Sequence, residues 1–216
     1  MSVTAINRTT LREQVVDKLR AAILDGTFRP GEKMAEVELA AQFGVSRGTV
    51  REAMRTLHNS GLLQGEERNS LHVRRLTGAE IAELFDVRAA LEGHAVVAIM
   101  ASPEHDAMID ALEARLPEIE AGLSYAEKFE VDLRFHEELC RLSGNATLLG
   151  MWTSIKDLMR VAVVSGPDES GTSLMTKAHH QPIIDAMRTG DPGRARAALA
   201  QHMAAAAEVW NNKADA

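Results

Sequence analysis

Residues 36–54 read EVELAAQFGVSRGTVREAM, and they carry the clearest structural pattern in the N-terminal part of the chain. Apolar residues recur at helical spacing on both sides of Gly44-Val45-Ser46. Gly44 suits the left-handed conformation just past a helix end, and Ser46 is a favoured N-cap. The stretch therefore predicts two helices joined by a three-residue turn, which is typical of a helix-turn-helix.

The flanking sequence predicts one more helix before this motif and a hairpin after it. Thr10 and Glu13 form a capping-box pattern at the start of a helix that runs to about Asp25. Leu62-Leu63-Gln64 and Leu71-His72-Val73 are short apolar stretches around a charged turn, which predicts a β-hairpin. The whole order is that of a winged helix-turn-helix, although the pattern alone leaves open an unrelated three-helix bundle with a hairpin.

The rest of the chain predicts a separate helical domain. Thr77 and Glu80 form a second capping box, so we expect a boundary near residues 74–78 and domains over residues 1–75 and 76–216. Six helices are expected, at 79–101, 104–121, 125–143, 146–164, 173–189 and 192–211. Pro117 should kink the second, and residues 165–171 should form a long flexible loop. The fold class is mainly α: a winged helix-turn-helix with a small β-hairpin wing, then an all-α antiparallel helical bundle.

Charge separates the two predicted domains. Residues 1–75 carry 12 Lys and Arg against 9 Asp and Glu, whereas the remainder carries 12 against 22 and six of the eight His. A mildly basic head on an acidic, His-rich body suggests different partners for the two. The longest apolar run covers only residues 95–101, no signal peptide is visible, and Cys140 is a single cysteine. We therefore expect a cytoplasmic protein with no membrane partner.

The third helix carries candidate DNA contacts at its start. The first residues of a recognition helix meet base edges in the major groove, and here they include Ser46, Arg47, Thr49 and Arg51. Arg47 and Arg51 lie one turn apart, and a guanidinium can grip O6 and N7 of guanine. The alternative is that both arginines pair with Glu52 or with other surface acids.

Four potential metal ligands lie on the apolar faces of three helices predicted in the second domain. They are Asp132, His136, His180 and His202. His180 follows the apolar stripe better than its neighbour His179 does. Three imidazoles and one carboxylate suit a divalent ion such as Zn, Ni or Mn with open coordination positions. The alternative is a set of ordinary core histidines, each satisfied by a hydrogen bond.

The N-terminal domain resembles the GntR-type winged helix. The matching stretches, in fixed order, are Leu11-Arg12-Glu13-Gln14-Val15, Pro30-Gly31-Glu32, Glu38-Leu39-Ala40, Val45-Ser46-Arg47, Val50-Arg51-Glu52-Ala53-Met54 and Gly61-Leu62-Leu63. The resemblance implies that Arg47, Thr49 and Arg51 are the recognition-helix residues.

Two positions depart from that family pattern. Val37 stands where the family often has Arg, which removes one DNA contact. Ser70 stands where the tip of the wing usually has Gly. His72 and Asn69 remain candidate DNA contacts of the wing.

The second domain resembles the FCD domain, the effector domain of FadR-type GntR regulators, in its shorter, VanR-like six-helix form. The matching stretches are Val87-Arg88-Ala89-Ala90-Leu91-Glu92, Asp132-Leu133-Arg134-Phe135-His136, Ser143-Gly144-Asn145, His180-Gln181-Pro182-Ile183-Ile184-Asp185-Ala186, Gly190-Asp191 and His202. The resemblance implies a metal on the four ligands above and an effector held by Arg88 and Asn145. Arg88 suits a carboxylate, although an internal pair with Glu92 is the alternative.

Together these resemblances imply a homodimeric, DNA-binding transcription regulator. The expected mode is repression at an inverted-repeat operator, relieved when a small carboxylate binds beside the metal. One alternative is a metal-dependent hydrolase using the Asp/His3 site, with Glu92 as the nearest candidate for its general base. A structural nucleoid protein is a third class, but it would need a more basic chain.

Overall fold

The computed structural model of this 216-residue chain describes residues 10–66, 70–116, 123–165 and 174–214. Its elements are α1 (Leu11–Leu24), α2 (Glu36–Phe43), α3 (Arg47–Asn59), β1 (Leu63–Glu66), β2 (Ser70–Val73), α4 (Gly78–Met100), α5 (His105–Glu113), α6 (Tyr125–Leu142), α7 (Ala146–Ser165), α8 (Lys177–Arg188) and α9 (Pro192–Ala214). The chain divides into two compact units at Arg75 and Leu76, with Arg160–Ser165 grouped with the first. We call them the winged-helix unit and the helical unit.

The winged-helix unit contains α1 to α3 and the β1–β2 hairpin. Thr10 and Glu13 form the capping box at the start of α1, and the Ser46 side chain accepts a hydrogen bond from the Thr49 amide at the start of α3. Gly44 ends α2 with φ 64°, a conformation that favours glycine. The buried core includes Val15, Leu19, Ile23, Leu39, Val50, Ala53, Met54, Leu57, Leu62, Leu63 and Val73. The predicted winged helix-turn-helix is confirmed.

The hairpin is antiparallel, with Leu63 opposite Val73 and Glu66 opposite Ser70. Gly65 has φ 118°, and a Cβ added there would lie 2.5 Å from the Ser70 carbonyl oxygen, so this position requires glycine. Residues 67–69 lie outside the described residues, and the candidate contact Asn69 with them.

The helical unit contains α4 to α9, apart from the last six residues of α7, and no strand among its described residues. The two 23-residue helices, α4 and α9, pack along each other, and α6 and α8 pack against them. Capping boxes at Thr77/Glu80 and Ser124/Glu127 mark the starts of α4 and α6. The mainly α fold class and the C-terminal helical bundle are confirmed. No described helix is long and apolar enough to cross a membrane.

Two helices of the bundle differ from their predicted bounds by four residues or more, and the other four agree to within three residues at each end. Helix α5 begins at His105 instead of 104, and it ends at Glu113 instead of 121. Pro117 and its predicted kink lie outside the described residues. Helix α8 begins at Lys177, four residues later than expected, because the Thr176 side chain caps it by accepting from the His179 amide. Residues 166–171 of the predicted loop also lie outside the described residues.

Candidate metal centre and nucleic-acid interface

The helical unit buries six charged or imidazole side chains within its described residues. They are Arg88, Glu92, Asp132, His136, His180 and His202. Helices α4, α6, α8 and α9 supply them, and the four residues expected as metal ligands are all among them. We call this set the buried polar cluster. Charged and polar groups at this depth require partners, which makes the cluster the strongest candidate site in this unit.

The three imidazoles converge on one region. His136, His180 and His202 each offer a ring nitrogen, and these atoms lie within 4.8 Å of one another. Asp132 lies beside two of them, with Oδ1 3.0 Å from His180 Nε2 and Oδ2 3.9 Å from His136 Nε2. Among the described residues, neither of these Nε2 atoms has a partner in hydrogen-bond geometry. The site therefore contains buried nitrogens that an ion could satisfy.

The opposite nitrogen of each ring is already in use. His136 Nδ1 lies 2.6 Å from Glu92 Oε2, His180 Nδ1 lies 2.8 Å from the Thr176 carbonyl oxygen, and His202 Nδ1 lies 3.4 Å from the His179 carbonyl oxygen. Carbonyl oxygens only accept, so Nδ1 of His180 and His202 carries the proton and their Nε2 carries the lone pair in the neutral ring. Metal-binding histidines in proteins are held in this way.

The surroundings shift the pKa values of two of the four expected metal ligands, His202 and Asp132. Burial and the charges of His136 and His180 hold the pKa of His202 well below its ordinary value, which keeps its ring neutral. Burial by itself would raise the pKa of Asp132, but the contact with His180 and the charges around the carboxyl outweigh it. The pKa of Asp132 therefore lies well below its ordinary value, and this carboxylate is ionised.

Arg88 and Glu92 form an ion pair inside the cluster. Arg88 Nε donates to Glu92 Oε1 at 3.1 Å, and Trp152 Nε1 donates to the same oxygen at 2.7 Å. The pair that was the alternative for Arg88 is thus present. Arg88 Nη2 is buried and has no hydrogen-bond partner among the described residues, which leaves one donor for a ligand. The sequence identified Glu92 as a partner of Arg88, but it did not indicate the link to His136.

Two other residues are placed differently from the expectation. Asn145, expected at the effector, is exposed, and its Oδ1 accepts from the Leu148 amide at 3.0 Å. It caps α7 and does not belong to the buried polar cluster. The His179 ring was expected to turn away from the stripe, yet its centroid lies 4.4 Å from that of His202.

In the winged-helix unit, Ser46 and Arg47 are exposed and Thr49 is half-buried at the start of α3. Arg51 is bound by Glu36 of α2, with Nε to Oε1 at 2.9 Å and Nη2 to Oε2 at 2.8 Å. This bidentate hydrogen bond holds the pKa of Glu36 below its ordinary value. The acid that pairs with Arg51 is therefore on the neighbouring helix, and it is not Glu52.

A groove of about 650 Å³ lies beside these residues. Its lining includes Lys33, Val37, Arg47, Arg51, Arg55 and Ser70. Four of these side chains are cationic, and two acidic ones, Glu36 and Glu52, also line the groove. The excess of cations suits a polyanion. His72, the candidate wing contact, is half-buried, and its backbone pairs with that of Lys33 in an isolated antiparallel β-bridge. The groove therefore lies between Arg47 and Arg51 of α3 and strand β2 of the wing.

A winged helix-turn-helix with an exposed basic surface, followed by a helical domain with a buried ligand-type cluster, defines a DNA-binding transcription regulator. The chain matches the family of bacterial regulatory proteins called gntR over residues 6–73 and the FCD domain over residues 83–205. It belongs to the GntR family and carries an FCD domain. This family consists of transcription regulators that bind operator DNA, so the hydrolase and nucleoid-protein alternatives are not retained.

Relatives and solved structures agree with this assignment. The chain is 32% identical over 202 residues to the probable D-xylose utilization operon transcriptional repressor of Paenarthrobacter nicotinovorans, covering 93% of this chain and 88% of that one. It is 31% identical to YdhC, an HTH-type transcriptional regulator of Bacillus subtilis, covering 88% and 86%. A GntR transcriptional regulator from Rhodococcus sp. RHA1 superposes with TM-score 0.73 at 25% identity, covering 93% and 98%. McbR/YncC of E. coli has the same fold, with TM-score 0.70 at 19% identity over 95% and 99%.

Proposed function

We propose that this regulator is a homodimeric repressor that dissociates from its operator when a small carboxylate binds beside a divalent metal in the FCD domain. The observation that carries the proposal is the convergence of three buried imidazoles, each held from behind through its Nδ1. Such an arrangement is typical of a metal site, and burying it without an ion costs free energy.

The metal would be held by His136, His180, His202 and Asp132. Three neutral imidazoles and one carboxylate compensate one of the two charges of the ion, and they leave positions for an exogenous ligand. Zn suits this donor set best, and Ni or Mn suit it as well. A bound ion would give the Nε2 atom of His136 the partner it lacks, and it would supply positive charge to an anion.

The effector would be anionic for the same reason. Glu92 neutralises Arg88, and Asp132 offsets one charge of the ion, so the loaded site keeps about one positive charge. Arg88 Nη2 remains as a buried donor, and a carboxylate can serve both that donor and an open coordination position.

The names of two relatives support a catabolic repressor: the D-xylose operon repressor above, and the gluconate operon transcriptional repressor of Bacillus licheniformis, at 29% identity.

Metal content is the first test. Protein purified without chelator should contain about one divalent ion per chain by elemental analysis, and the double variant H136A/H180A should contain none. R134A is the matched control, because Arg134 is an exposed residue of the same helix α6. Wild-type protein that contains no metal, and that added Zn or Ni does not stabilise, would contradict the proposal.

The effector class is the second test. A gel shift across a panel of organic and sugar acids should show release of the operator by at least one acid. R88K should respond more weakly, because an ammonium keeps the charge but lacks the planar fork. Release by a neutral or cationic metabolite, with no response to any acid, would exclude the carboxylate.

The dimer is tested separately. Light scattering should give twice the chain mass of 23.5 kDa, and a footprint should protect two symmetric half-sites. A monomer that still protects a single asymmetric site would contradict it.

A further inference from the structure

We propose that Glu92 is the positioning residue of this site: a single buried carboxylate fixes the ring of His136 for the metal and also holds Arg88. The inference rests on the proposed function only in taking His136 as a metal ligand. Its basis is the geometry around the two oxygens of Glu92, which lie among the helices of the bundle.

The Glu92 carboxylate is fully buried and lies within hydrogen-bond distance of three nitrogen atoms. Oε2 lies 2.6 Å from His136 Nδ1 on α6, and Oε1 accepts from Arg88 Nε on α4 and from Trp152 Nε1 on α7. Each donor comes from a different part of the chain, so the carboxylate connects α4, α6 and α7. Its two oxygens divide the work: one faces the metal ligand, and the other faces the arginine and the indole.

An ionised carboxylate only accepts, so the proton between Glu92 and His136 lies on Nδ1 when that ring is neutral. The lone pair is then on Nε2, the atom that lies 3.9 Å from Asp132 Oδ2 and has no partner in hydrogen-bond geometry among the described residues. Glu92 thus determines both which nitrogen can bind a cation and where that nitrogen lies. A carboxylate behind the ring also makes the ring a stronger ligand.

An amide cannot replace this carboxylate in all three contacts. If the amide oxygen of the E92Q variant faced His136, the amide NH2 group would oppose the N–H donors of Arg88 and Trp152. If the amide were reversed, the NH2 group would face Nδ1, and the ring proton would move to Nε2, where it blocks the ligand atom. E92Q therefore keeps the size of the side chain and removes the function that we assign to it.

The first measurement is the affinity of metal-free, full-length protein for Zn²⁺ by calorimetric titration. E92Q should bind about 10- to 100-fold more weakly than wild type. The matched control is E137Q: Glu137 neighbours His136 on α6, but its carboxylate pairs with Lys156 at 2.5 Å. E137Q should bind as wild type does. Equal affinities of E92Q and wild type would overturn the inference, whereas no Zn²⁺ binding by wild type would overturn the proposed metal site.

The second measurement needs neither a metal nor a variant that folds. Long-range ¹H–¹⁵N correlation spectra of the metal-free wild-type protein report which nitrogen of His136 carries a proton. Protonation of Nδ1 is the expected result, and where E92Q folds, its proton should move towards Nε2. An unprotonated Nδ1 in wild type would overturn the inference whatever the Zn²⁺ titration shows.

Discussion

Each unit of the molecule contains an arginine held by a glutamate, and the two pairs differ in almost every physical respect. Arg51 and Glu36 join two helices at the surface, with 60% and 23% of their side chains exposed. Arg88 and Glu92 lie one turn apart on one helix, with 3% and 0% exposed. The surface pair lines the groove that suits DNA, whereas the buried pair belongs to the buried polar cluster, beside its histidines.

The same Arg–Glu pairing has different consequences at the surface and in the interior. In water an ion pair is worth little, because each charge is nearly as well solvated alone. Arg51 can therefore exchange part of its contact with Glu36 for a base or a phosphate at small cost. Inside the bundle water cannot solvate either side chain if the pair separates, so the Arg88–Glu92 pair stays formed and holds the groups around it in place.

The sharpest test of this comparison is the removal of each glutamate in turn. E92A should lower the free energy of unfolding of the helical unit by about 3–5 kcal/mol, because it leaves the Arg88 charge buried and unpaired. E36A should leave the unfolding of the winged-helix unit nearly unchanged. Urea denaturation followed by circular dichroism measures both. Comparable losses in the two variants would show that burial does not distinguish the pairs.

The next largest effect concerns DNA. R47A and R51A should each weaken operator binding on the order of 10- to 100-fold per half-site, because each removes a guanidinium from the start of α3. Binding to unrelated DNA should fall much less. Gel shifts on both DNAs give the ratio, with R134A in the helical unit as the control. If neither arginine variant changes operator affinity, α3 is not the reading helix.

The smallest expected effect is that of E36Q. It removes the charge from the surface pair and leaves one acceptor for Arg51, so the unfolding midpoint should move only slightly. Any shift should shrink as salt is raised from about 0.05 to about 0.5 M, because exposed charges are screened. A large shift that salt does not reduce would mean that Glu36 holds α2 against α3 by more than an exposed ion pair.

Local signals predicted most of the fold. Each of the capping boxes that begin at Thr10 and Thr77 spans only four consecutive residues, and both are present in the structure. The start of α8 was misplaced because Thr176 was not recognised as its cap, which shifts the helix to Lys177. Periodicity also placed Asp132 and the three histidines on faces that are buried.

Contacts between distant segments were beyond the reach of the sequence. Glu92 is four residues from Arg88, a spacing that a helix pattern reveals, but 44 from His136 and 60 from Trp152. Likewise, Arg51 pairs with Glu36, 15 residues away, although Glu52 is its neighbour in the chain. Asn145 illustrates the converse: a match to the family suggested a binding role, and the local backbone uses the side chain as a cap.

The indole of Trp152 gives this protein an internal optical probe. Its Nε1 shares an oxygen of Glu92 with Arg88, and the Lys156 ammonium lies 5.6 Å from its ring centroid. Indole emission responds to nearby charge, so the binding of a charged ligand in the buried polar cluster should alter the wavelength and intensity of this emission. The chain has one other tryptophan, Trp210, and its replacement by phenylalanine would leave a single indole, the one hydrogen-bonded to Glu92. Occupancy of the effector domain could then be followed in unlabelled protein while it is bound to DNA.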